Sequence, residues 1–363
     1  MAIVGSVLGA IKTVGKALAL LLVVFSTISY LISLALGPIL FFSTSDGLSV
    51  ASRRIQGIPI DLFMAITVPI PLPVNIGLLF ISVWAAFVIC LIFAWYSRGG
   101  FLSSIRNSLK QSPSIAKTNF LYAMPLASTA LLYATILIQQ FQEAEGVQTG
   151  NLSFPPSTSP YVVLINLAFA PLREEFAFRI TSIGIPLGIF LLLVYRYDER
   201  VSGFRARLKL VLLAMLSPER AKTEIGHKNV SANGVFRGIS PLEWILILLT
   251  SAVFGLAHYL LGGGWQIGKM STAFLVGLFL GIMFVAYGAY ASILIHWFFN
   301  YYFTVLEMAG STYGGVFPSM YNVVEATNLV AGQIVVLVFL IISALKVANF
   351  LVSKASGLNV KSE

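Results

Sequence analysis

The chain has 363 residues, 58% of them apolar and only 10% charged, with a formal net charge of +9. A soluble domain runs about 45–50% apolar and about 25% charged, so there is too little polar surface here to clothe a water-soluble body of this size. The positive balance needs no nucleic-acid partner, because polytopic membrane proteins gather lysine and arginine in their cytoplasmic loops.

Apolar runs of crossing length, roughly 18–20 residues or more, fall near 17–42, 74–96, 119–141, 161–194, 240–261, 270–287, 290–308 and 327–350. The expected fold is therefore all-α, a polytopic transmembrane helix bundle of about eight spans. The chain divides into an N-terminal region 1–159 (three spans plus an interfacial segment), a core 160–309 with a basic loop at 195–239, and a C-terminal span and tail at 310–363. The first apolar run starts near Ala17 and passes Leu40, too long for the apolar core of a cleavable signal. The stretch 55–73, with Pro59, Asp61, Pro69, Pro71 and Pro73, reads as an interfacial or re-entrant piece. The single cysteine, Cys90, permits no intrachain disulfide.

Loop charges test the parity. Lys12 and Lys16 lie before the first span, and 97–118 carries Arg98, Arg106, Lys110 and Lys117 with no acid. The loop 195–239 carries nine basic residues against four acids, and the tail carries Lys354 and Lys361. Eight crossings put all of these on one side, which the positive-inside rule makes cytoplasmic, so both termini are expected there. The opposite loop 142–160 holds Glu143 and Glu145. Within 195–239, a helix over Phe204–Leu216 mixes basic and apolar residues as suits lying flat on an anionic leaflet. The 34 residues of 161–194 exceed one crossing and contain Pro171 and Pro186, so that span is expected to be broken or overlong.

Charge inside a bilayer is costly and persists only where it is paired or faces a wet cavity. The run 161–194 nonetheless holds Arg173, Glu174, Glu175 and Arg179, whereas 17–42, 74–96 and 119–141 hold no charged residue. In a helix Glu175 and Arg179 face each other, acid toward the N-terminus, and Glu174 is turned about 100° away. Arg173 makes the cluster formally neutral. Such a knot can pin two helices; equally, paired acids with different neighbours let one act as base while the other stays a fixed anion. His258 shares a helix face with Phe254, and His296 with Asn300. A lone histidine in an apolar helix is ordinarily a core residue. Two of them, one with an asparagine a turn later, beside an intramembrane double glutamate, favour a catalytic site. Among the remaining features, His227 in the basic loop is expected to be solvated, and Gly262-Gly263-Gly264 to form a turn. Gly277 and Gly281 permit close helix packing. Tyr301, Tyr302 and Phe303 fit either a lipid groove or an interfacial aromatic belt.

Three motifs in order, Glu174-Glu175-Phe176-Ala177-Phe178-Arg179, Phe254-Gly255-Leu256-Ala257-His258 and His296-Trp297-Phe298-Phe299-Asn300, resemble the CAAX-processing and bacteriocin-processing family of intramembrane endopeptidases, which includes the type II CAAX prenyl endopeptidase. The resemblance covers about 160–305, and the 195–239 stretch makes its first gap longer than the family usually shows. It implies that Glu174 with His258 activates water, that His296 and Asn300 stabilise the oxyanion, and that Glu175 and Arg179 hold the site. No cofactor is expected. The alternative is zinc on Glu174, His258 and His296, disfavoured because no His-Glu-x-x-His pair exists and Asn300 is a poor zinc ligand. The implied partners are a peptide or protein substrate, lipidated or not, and membrane lipids. Two rival classes remain: a non-catalytic scaffold or immunity protein of the same fold, and a proton-coupled transporter whose acids and imidazoles relay protons.

Overall fold

A computed structural model describes residues 2–64, 66–110 and 117–355. The chain starts with the long helix α1 (Ala2–Ser43) and the short α2 (Ser45–Ser52), followed by a β-ribbon of β1 (Arg54–Ile55), β2 (Ile58–Leu62), β3 (Ile66–Ile70) and β4 (Val74–Asn75). Helices α3 (Ile76–Tyr96), α4 (Phe101–Lys110) and α5 (Phe120–Ala144) complete the N-terminal region. Next comes one continuous run: α6 (Pro160–Glu175), a nine-residue π segment (Phe176–Gly184) and α7 (Ile185–Val194). The basic loop folds into α8 (Gly203–Leu216), α9 (Pro218–Glu224) and α10 (Val230–Gly238). It leads to α11 (Pro241–Leu261), α12 (Lys269–Tyr287), α13 (Ala289–Trp297), a second π segment (Phe298–Tyr302), α14 (Phe303–Tyr313) and α15 (Phe317–Ala355).

Among the described residues seven helices are long and apolar enough to cross a membrane: Thr13–Ser43, Ile76–Gly99, Phe120–Ala144, Pro160–Val194, Pro241–Leu261, Lys269–Tyr287 and Phe317–Ala344. The architecture is an all-α polytopic bundle, as the apolar runs imply. The crossing expected at 290–308 is not among the seven. It lies in the unbroken helical run from α13 to α14, whose middle carries His296, Asn300 and two tyrosines and is correspondingly less apolar. This run is the axis of the bundle rather than a lipid-facing helix. Leu294, Ile295 and Trp297 are fully buried; the Trp297 ring stacks on Phe87 of α3 at 4.7 Å and meets Tyr30 of α1 edge-on at 4.9 Å. Tyr302 bonds Ser29 of α1 at 2.6 Å, and the Tyr30 hydroxyl donates to the Leu294 carbonyl. The outer faces, such as Leu78, Ile89 and Phe93 on α3 and Leu337–Ile342 on α15, stay exposed, as apolar side chains can when the solvent is lipid.

Local signals set the ends of these helices. Asn119 caps α5 by accepting the Leu121 N–H at 2.9 Å, while its amide donates to the carbonyls of Ala94 and Ser97 and ties α5 to the end of α3. Pro160 and Pro241 open α6 and α11, where a missing N–H costs nothing. Ser240 and Glu243 form a capping box at the start of α11.

The structure gives form to two of these readings and corrects a third. The piece 55–73, read as interfacial or re-entrant, is an antiparallel ribbon, with Ile58 opposite Ile70 and Leu62 opposite Ile66. Its prolines forbid a helix, and β-branched residues alternate between them. The fourth span is one overlong run, as expected, with the π segment in its middle and Pro186 in the first turn of α7. His227 is half-buried rather than solvated, bonded to the Tyr195 hydroxyl at 3.0 Å and packed edge-on against Phe190 and Tyr195. The loop that holds it has its own core, where Leu187 and Leu191 of α7 pack against Leu210, Ala214, Ala221 and Ile225. A fully buried Lys222–Glu243 pair at 2.8 Å joins this loop to α11.

Candidate active site

The first motif sits where α6 gives way to the π segment. In an i→i+5 turn the backbone widens, and such turns recur at functional sites. Here the hydroxyls of Thr181 and Ser182 reach back five residues to the carbonyls of Phe176 and Ala177, at 3.0 and 2.7 Å. The two glutamates straddle the junction and meet different surroundings. Glu175 is fully buried and its Oε1 is shared: Arg179 donates to it at 2.9 Å, and Nδ1 of His296 lies 2.8 Å away. Arg179, also fully buried, gives its other terminal nitrogen to the Gly277 carbonyl of α12 at 3.1 Å and lies over the Phe254 ring at 4.7 Å. One ion pair therefore joins the π segment, α11, α12 and α13.

Glu174 takes no part in that pair. Its side chain is 29% exposed, and its Oε2 lies 3.5 Å from Nε2 of His296. That oxygen is buried yet has no hydrogen-bond partner. His296 thus sits between the acids, with one ring nitrogen on Glu175 and the other facing Glu174. His258, on α11, donates Nδ1–H to the Phe254 carbonyl one turn back, at 2.8 Å, which leaves Nε2 as the bare acceptor in the neutral ring. The Phe254 ring is flanked by both imidazoles, His258 at 4.5 Å and His296 at 5.9 Å between centroids. Asn300 follows in the second π segment, partly buried, with its backbone carbonyl accepting the Thr304 hydroxyl at 3.0 Å.

Simple depth counting along the sequence sets His258 near one end of its span and His296 near the other, yet their rings share one phenylalanine. The first turn of α11 is tied to the folded basic loop, where Glu243 accepts from Lys222 and from the Ser240 N–H.

Arg173 is not part of the glutamate cluster, contrary to the formal charge balance read from the sequence. It pairs with Asp61 of β2 at 2.6 Å. The ribbon tip is fixed as well: the Phe63 N–H donates to the Thr181 hydroxyl at 3.0 Å, and Met64 packs with Phe178, Phe254, Ala257 and Ala273. Phe63 and Met64 have φ of 46° and 68°, a region that costs side-chain-bearing residues energy and that clusters at functional sites. The ribbon therefore rests beside the glutamates and one turn from His258. Asp61 could have been suspected from sequence, because it is the sole acid of an apolar, proline-rich piece and Arg173 lacked an obvious partner. Met64 and Gly277 gave no comparable signal.

Among the described residues, no three His, Cys, Asp or Glu side chains converge as a metal-ligand set.

Residues 156–302 match a family model described as type II CAAX prenyl endopeptidase Rce1-like. The matched stretch contains all three motifs and both π segments. No curated protein and no solved structure matches the chain. The match and the seven apolar helices identify an integral, multi-pass membrane protein with a CAAX-protease-like core.

Proposed function

We propose that the chain is an intramembrane endopeptidase in which Glu174 activates water for attack on a peptide carbonyl. The observation that carries this reading is the contrast between the two neighbouring acids. Glu175 is fully buried with its Oε1 held by both Arg179 and His296, whereas Glu174 lies outside that ion pair, is 29% exposed and has its Oε2 3.5 Å from an imidazole.

In this mechanism Glu174 takes one proton from the water as its oxygen bonds to the scissile carbon. The bare Nε2 of His258 accepts a hydrogen bond from the same water and orients it. His296, whose Nδ1 is held against Glu175 at 2.8 Å, stands with the Asn300 amide at the developing oxyanion. One such donor is worth about 3–4 kcal/mol in a dry site. Glu174 then returns its proton to the departing amine, and the C–N bond breaks. General base catalysis of this kind contributes about 10²–10⁴-fold. The substrate is a peptide or protein reached from the membrane, and C-terminal or membrane-associated segments suit a site of this depth.

The test is Glu174→Gln in the full chain, expressed in a host lacking the native gene. Comparison of membrane proteomes should show newly trimmed termini with the parent and none with the variant, at equal abundance. A scaffold would keep its phenotype in Glu174→Gln, and a proton-coupled transporter would lose uptake with no change in any terminus. Either result would overturn the proteolytic reading.

A further inference from the structure

A second cavity, of about 840 Å³, opens at the end of the bundle that carries the basic loops, between α3, α8, α9 and α13. Its volume lies within the roughly 300–1,000 Å³ of ligand sites. None of Glu174, His258, His296 and Asn300 lines it. Its apolar part is formed by Ile89 and Phe93 of α3, Ile180 of the π segment, Leu213 and Leu216 of α8, and Ile293 of α13. The rim is basic, with Arg98, Lys117 and Arg220. The one acid there, Glu219, is already engaged by the backbone N–H groups of Val230 and Ser231 at 2.9 and 2.7 Å, and lies 3.9 Å from Arg98. Arg98 is held in place over the Tyr287 ring at 3.9 Å and by the Ala286 carbonyl. Lys117 and Arg220 are exposed.

We propose that this cavity binds an anionic membrane lipid, with an acyl chain in the apolar part and the headgroup phosphate on Lys117, Arg220 and Arg98. Three observations select this occupant. Ile89 and Phe93 reach from the exposed face of α3 into the lining, so the apolar part is continuous with the lipid-facing surface. The rim carries an excess of positive charge, which an anion complements and a zwitterion does not. A free anion would need only the rim and leave the apolar part unexplained. Beside the cavity, Phe204, Leu208, Leu212 and Leu216 form an exposed apolar stripe along α8, with Arg205 and Lys209 on the same helix. That places the rim at the level where phospholipid headgroups lie. The proposal does not depend on the proteolytic reading.

Full-length protein in neutral detergent would be titrated with phosphatidylglycerol and, separately, phosphatidylcholine of the same chains, with binding read by native mass spectrometry and by the shift in melting temperature. Phosphatidylglycerol should bind at least about tenfold more tightly. A basic residue beside an anionic surface is worth roughly fivefold, so Lys117→Gln with Arg220→Gln should cost about 30-fold for phosphatidylglycerol and little for phosphatidylcholine. Leu213→Trp, which fills the apolar part, should weaken both lipids. Arg220→Gln alone, at an exposed position, gives a smaller loss in the same direction should the double variant fold poorly. Equal binding of the two lipids by the parent, or an undiminished preference in the basic-residue variants, would overturn the proposal. So would a melting shift from inorganic phosphate as large as that from phosphatidylglycerol, which would assign the rim to a soluble anion.

Discussion

The two adjacent glutamates should fail in opposite ways. Glu175→Gln removes the charge from a carboxylate that is fully buried, 2.9 Å from an equally buried Arg179 and 2.8 Å from His296. Breaking one partner of such a pair leaves an uncompensated buried charge and costs about 3–5 kcal/mol, against a total stability of about 5–15 kcal/mol for a typical fold. Glu174→Gln alters a side chain that is 29% exposed and has no hydrogen bond at its inner oxygen, so its stability cost should stay below about 1 kcal/mol. Peptidase activity should nonetheless fall by about 10²–10⁴. Denaturant unfolding in detergent measures the first effect, and cleavage of a substrate found by the terminal proteomics measures the second. Because replacing a whole buried pair by apolar groups is often nearly neutral, Glu175→Gln with Arg179→Met should recover more than half of the stability lost by Glu175→Gln alone. A Glu175→Gln protein that unfolds like the parent, or a Glu174→Gln protein that does not fold, would refute the assignment of brace to one acid and base to the other.

Other outcomes follow from single contacts. A Cβ at Gly277 would lie 3.1 Å from Ser251 Cα and 3.3 Å from the Phe254 ring, so Gly277→Val should cost about 1–3 kcal/mol by overpacking and lower activity by shifting the ring between the imidazoles. Asp61→Asn cuts a partly exposed pair, so it should cost less than about 1 kcal/mol; hydrogen exchange at Phe63 should quicken severalfold, and unchanged exchange would mean that the ribbon is held without it. Burial, reinforced by Lys222 and Lys228 and opposed by Glu243, holds His227 below its ordinary value of 6.5. The unfolded loop therefore takes up the proton more readily, and this contribution to stability is complete above that pH and shrinks as pH falls through the folded value. Tryptic cleavage within 195–239 should accelerate on acidification in the parent and less so in His227→Gln; equal slopes would remove the histidine from the account. Chelator should leave peptidase activity intact, whereas a loss reversed by zinc would make Glu174, His258 and His296 a ligand set.

The amino-acid sequence by itself determined that this chain lives in a bilayer, because a chain that is 58% apolar has no other solvent that can accept its surface. It also pointed to the spans that carry the three motifs, since charge is dear in lipid and 17–42, 74–96 and 119–141 hold none. Local spacing gave the Glu175–Arg179 pair, four residues apart, and the separation of Glu174 from it, and the pair survives although Arg179 lies in the π segment. Tertiary structure decided the rest. His296 bridges both acids only because α13 is threaded through the centre of the bundle, a placement no hydropathy window records. Arg173 finds Asp61, 112 positions away in the sequence, through a ribbon whose short strands give a far weaker periodic signal than a helix. The π segment that accommodates an overlong span depends on what the helix packs against, and so does the half-burial of His227. Turn geometry and solvent fix what is near in sequence; which distant groups meet is set by packing, and packing belongs to the whole chain.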